Sequence, residues 1–242
     1  MRTLIVGCSF VEMFSLYCEI NRNNTFHWDT VFGRINTDQY DIWGAAGSGN
    51  RAIAARVLDC VSREQYKKVI VVWSGVNRLD ACVSYEWDQV HNSNYNYTTT
   101  LGTTVYYHCG GLLGVYDPLP PPILEYFKAQ VKSFDQRFLT DNTLQSVIST
   151  QSILNSMNID YDMSWMYDPF ADYSDTDIEP GCGSLDTSSN LFDLVNWDKI
   201  NQNWAREWCL SRNMMYPDGF HWSWEGGRQW FRQVLDEDIF FA

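Results

Sequence analysis

The stretch from Lys68 to Trp73 constrains the fold more than any other part of the chain. After its lysine it runs Val69, Ile70, Val71, Val72, Trp73, and Ser74 and Gly75 close it. β-Branched residues without polar alternation suit a strand buried on both faces, and such strands belong to parallel sheets covered by helices. A second apolar run, Thr3 to Val6, ends at Gly7 in the same way. Tyr40 to Trp43 gives a shorter strand, and residues 158–163 a weak one.

Helical spacing alternates with these strands. Phe10, Met13, Phe14 and Tyr17 fall at i, i+3, i+4 and i+7. Ile53, Val57, Cys60 and Val61 form a second stripe, with Asn50 as the expected cap of a helix running to about Ser62. Ile123, Tyr126, Phe127, Val131, Phe134 and Phe138 form a third. Leu144, Val147, Ile148 and Leu154 give a fourth, over residues 142–157. Ser223 caps a closing helix to Leu235, with Trp230, Phe231 and Val234 facing inward. This alternation predicts an α/β fold, a three-layer α/β/α sandwich on a small parallel sheet of four to five strands. A chain of 242 residues is expected to form a single domain, residues 1–242, with long insertions at about 84–122 and 164–216. The first reads as an aperiodic loop. The second holds the acidic run from Asp172 to Glu179, read as a solvated face, and a short helix around Ile200 to Cys209.

The net charge of −13 argues against nucleic acid and anionic membrane surfaces as partners. Seven cysteines, an odd number without a Cys-x-x-Cys pair, predict free thiols in a reducing compartment. The four histidines show no metal spacing, so no metal and no cofactor is expected. The first apolar run is too short for a signal peptide or a membrane span. The expected location is the cytoplasm or a virion.

In a parallel sheet with helices on both faces, ligands bind at the carboxyl ends of the strands. Three short polar segments fall at such ends: Gly7 to Ser9, Gly44 to Asn50, and Gly75 to Asn77. Ser9 sits at a strand-to-helix junction, as a nucleophile would. A serine hydroxyl needs a base, and the base needs an orienting acid. Asp218-Gly219-Phe220-His221 supplies both, because an acid three residues before a histidine can fold back onto its Nδ1–H. An ordinary imidazole titrates near ~6.5, close to working pH. Backbone N–H groups at Gly47, with Gly49 second, at Ser9, and the amide of Asn77 are the candidate oxyanion donors. Cys8 and His108 read as packing and loop residues.

The four segments together resemble the SGNH (GDSL-like) hydrolase family. Gly7-Cys8-Ser9-Phe10, Gly44-Ala45-Ala46-Gly47, Gly75-Val76-Asn77-Arg78 and Asp218 to Gly226 look like its Ser, Gly, Asn and His blocks, in family order. Cys8 stands where the family has Asp, Trp222 where it has Pro, and Trp43 near its usual Asn. The resemblance implies a flavodoxin-like sheet and a serine esterase working through an acyl-enzyme. Ser9, Asp218 and His221 would then be the triad, and Ser9, Gly47 and Asn77 the oxyanion hole. The expected substrate is a small acyl ester, with acetyl as the first choice, on a small molecule or polysaccharide. Trp165, Trp222 and Trp224 are candidate substrate-wall residues, and Tyr95, Tyr97, Tyr106 and Tyr107 add aromatic faces in the insertion. Two other readings stand beside this one. One is a non-catalytic SGNH-fold protein used for binding or as a virion or cell-surface part. The other is a lipase or thioesterase, which requires a long apolar channel.

Overall fold

The computed structural model describes residues 1–11, 34–36, 38–91, 98–108, 119–133, 135–171, 184–215 and 222–236. Four parallel strands form its centre: β1 (Arg2–Gly7), β3 (Tyr40–Gly44), β4 (Tyr66–Trp73) and β8 (Asp160–Trp165). Their spatial order is β3-β1-β4-β8, and the short β2 (Arg34–Asn36) adds an antiparallel edge against β3. The expected parallel sheet is therefore present with four strands, and its fifth strand runs the other way. Helices flank the sheet, an arrangement consistent with three α/β/α layers.

Leu4, Ile5 and Val6 of β1 and Val69 to Trp73 of β4 are fully or almost fully buried, as continuous apolar runs require. Helix α1 (Asn50–Arg63) buries Ile53, Val57, Cys60 and Val61. Asn50 was expected to cap it, but Gly49 holds that position without a side-chain bond. Asn50 reaches across to the loop after β4 instead. Its Oδ1 accepts from Ser74 N–H at 2.7 Å, and its Nδ2 donates to the Gly75 carbonyl at 3.3 Å.

The helical stretch after residue 120 divides differently from its periodicity. Helix α3 is Pro121–Ser133 and helix α4 is Gln136–Ser156. Asp135 accepts from Phe138 N–H at 2.7 Å and caps α4, so Phe138 opens the second helix and does not end the first. Helix α5 is Ala205–Leu210, and helix α6 is Trp224–Val234. Ser223 caps α6 by accepting from Gly226 N–H at 3.1 Å. Trp230 and Phe231 are fully buried. Met13, Phe14 and Tyr17, and the acidic run from Asp172 to Glu179, lie outside the described residues.

The described residues of 84–122 are not the aperiodic loop that the composition of the segment suggested. β5 (Asp80–Ser84), β6 (Thr98–Leu101) and β7 (Thr104–His108) form a second, antiparallel sheet in the order β5-β7-β6. Helix α2 (Tyr85–His91) follows β5. Gly102, at φ +57°, turns β6 into β7. Val105 and Tyr107 alternate inward and meet Ala81, Ile123 and Phe127 in a core of their own. Tyr107 donates to the buried carboxylate of Asp88. Burial, then this bond, raises the Tyr107 phenol above its ordinary range. Among the described residues, no helix is long and apolar enough to cross a membrane.

Candidate active site

β1 and β4 are neighbours, with Gly7 paired to Val72, so their carboxyl ends lie side by side. β3 lies on the other side of β1, with Gly7 paired to Gly44. β3 lies on one side of β1 and β4, the next central strand in sequence, on the other, which makes this end the switch point of the sheet. Gly7 is required here: a Cβ would stand 2.5 Å from Val11 Cγ2 and 2.9 Å from the Val72 carbonyl oxygen.

Ser9 follows at the start of a helical turn and is 8% exposed. Cys8 beside it is fully buried, with Sγ 3.1 Å from Met166 Sδ, so it packs as expected. The loop from Ala45 to Gly49 begins with the Ala45 N–H donating to the Gly7 carbonyl at 3.3 Å. Gly47 lies in the left-handed region at φ +71°, where a side chain is strained. Gly49, the second candidate donor, is already committed: its N–H donates to Asp80 Oδ1 at 2.9 Å. It therefore leaves the list of oxyanion donors.

Asn77 stands in the loop after β4 and is fully buried. Among the described residues, neither its Nδ2 nor its Oδ1 has a hydrogen-bond partner. An amide buried in this way costs about 1–3 kcal/mol, and a folded protein keeps such a group only for a reason.

Asp218 and His221 lie outside the described residues. The next residue, Trp222, is fully buried against the Ser9 turn. Its Nε1 donates to the Phe10 carbonyl at 2.9 Å, and its ring meets the Phe10 ring edge-on at 5.2 Å. Trp222 is thus a core residue and not part of a substrate wall. The same correction applies to Trp165, which is fully buried and packs against Trp197 and Trp204 at 6.3 and 6.2 Å. The periodicity of an insertion hides burial of this kind. Trp224 begins α6, and its side chain lies outside the described residues.

Sequence reasoning missed Asp80 and His108. Asp80 Oδ1 accepts from Gly49 N–H and from His108 Nδ1–H at 2.8 Å, and its Oδ2 accepts from Ala52 N–H at 2.8 Å. Its carboxylate thus sits at the first turn of α1, where the helix dipole favours negative charge. Asp80 and Asn50 together fasten the Gly47 loop to the loop that carries Asn77. His108 comes from β7, a strand that the composition of its surroundings concealed. Among the described residues, no cluster of His, Cys, Asp or Glu could hold a metal ion. Compared with models of protein families and with curated proteins, the chain matches none.

Proposed function

We propose that the protein is a serine esterase of SGNH type, with Ser9 as nucleophile. The orphaned carboxamide of Asn77 carries this reading. A buried donor that no described residue uses suits an anion that exists only during the reaction. Asn77 follows β4 and Ser9 follows the adjacent β1, so both belong to one end of one strand pair. Ser9 Oγ attacks the ester carbonyl, and the oxyanion takes N–H groups from Asn77, Gly47 and the Ser9 backbone. His221 is the base and Asp218 its orienting acid, on the sequence pattern. The anchoring of Trp222 to Phe10 supports this role, since Trp222 adjoins His221 in sequence and Phe10 adjoins Ser9.

The proposed substrate is a small, polar acyl ester. The net charge of −13 opposes docking on anionic lipid, which disfavours the lipase alternative. The test is hydrolysis of p-nitrophenyl esters of increasing chain length by wild type and Ser9→Ala. Wild type should prefer the acetyl ester, and Ser9→Ala should lose turnover while keeping its near-UV circular dichroism. A rate that climbs toward long acyl chains would favour a lipase. No turnover of any ester would favour the non-catalytic alternative.

A further inference from the structure

A cavity of about 270 Å³ lies beside the proposed site, between the carboxyl ends of β1 and β3, helix α1 and strand β6. Gly7, Gly44 and Ala45 line it from the sheet, Ala52 and Ile53 from α1, and Thr98 to Thr100 from β6. Ser48 and Trp43 add to the wall, with the Arg56 guanidinium 4.0 Å above the Trp43 ring. Ligand pockets run from about 300 Å³ upward, so the occupant is one ring or a short chain.

The polarity of the wall follows from proton accounting. Asp80 as a carboxylate only accepts, so His108 Nδ1 carries the proton of their 2.8 Å bond. Thr99 Oγ1 lies 2.8 Å from Nε2, with Ser48 Oγ the second neighbour at 3.4 Å. A hydroxyl both donates and accepts, so Thr99 keeps a hydrogen-bonding function beyond the one that the ring takes. Arg56, the one charged residue among the described lining, is spread over Trp43 and is 3.8 Å from Asp59. A wall that offers hydroxyls and a partly neutralised cation suits a neutral hydroxyl-bearing ligand and does not suit an anion.

We infer that this cavity is a binding subsite for a neutral, hydroxyl-bearing group, with Thr99 as its specificity residue, held in place by His108 and Asp80. The inference deepens the esterase reading by naming the alcohol side of the ester, and the inserted sheet is what builds it.

The test is a ligand-observed NMR titration with methyl hexosides, set against hexuronate and inorganic phosphate. It uses the full chain as wild type, Ser9→Ala, Thr99→Val and Ala52→Leu. Thr99→Val keeps the shape of the side chain and removes the oxygen; Ala52→Leu fills the cavity from α1. Wild type and Ser9→Ala should bind the hexoside equally. Thr99→Val should weaken binding roughly tenfold, the equivalent of about 1.4 kcal/mol. Ala52→Leu should abolish it, which keeps the inference testable if Thr99→Val does not fold. Absence of hexoside binding, equal binding by Thr99→Val or Ala52→Leu, or preference for uronate or phosphate would overturn the inference. Hexoside binding by a protein without esterase activity would sink the esterase reading and leave this one standing.

Discussion

Asn77 shows a residue whose chemistry and stability pull apart. Its buried amide has no partner among the described residues, so removing the polar atoms should relieve a cost and not create one. Asn77→Leu, of similar volume, is therefore expected to hold or raise stability by about 1 kcal/mol in urea unfolding. The same substitution should lower kcat by about 10²–10³ with little change in KM, as loss of an oxyanion donor does. Marked destabilisation would mean that the amide serves the fold. Asp80 is the opposite case, since its carboxylate is fully used by two backbone N–H groups and an imidazole. The Cys209 thiol is a third kind of residue: burial pushes it up to about 12, so it stays protonated and inert at neutral pH.

At the scale of elements, Trp222 ties the segment behind the proposed base to the residue that follows the nucleophile. Trp222 Nε1 donates to the Phe10 carbonyl inside a fully buried aromatic cluster with Trp230 and Phe231. Trp222→Phe keeps most of the packing and removes the Nε1–H that donates to that carbonyl. A loss of about 1–3 kcal/mol is expected in urea unfolding. A fall in kcat should accompany it, since both neighbours of the bond belong to the proposed machinery. Unchanged kcat with lowered stability would separate the anchor from the chemistry. The buried strands were legible because an uninterrupted β-branched run has few other folds open to it. The Ser223 cap and the inward face of α6 were legible for the same local reason. The inserted sheet was not, because strands buried on one face read as polar, and Thr98 to Leu101 resembled loop composition. Gly102-Thr103 between two β-forming runs was the overlooked signal. Asp80 and His108 could not be paired from sequence, since their contact depends on how the inserted sheet docks.

At the scale of the whole molecule, three loops that are distant in sequence meet because β1 lies between β3 and β4. The switch in strand order opens the sheet there, and the three polar segments are the loops that leave it. The inserted sheet closes one side of this end through β6 and His108, and the α6 segment closes another through Trp222. The account stands or falls on whether Ser9 is the reactive hydroxyl of this assembly. The direct measurement is labelling of the full chain with a fluorophosphonate probe, with the adduct located by peptide mass spectrometry. The account predicts one adduct, on Ser9, absent from Ser9→Ala. An unlabelled protein, or an adduct on Ser48 or any other residue with Ser9 unmodified, would contradict it.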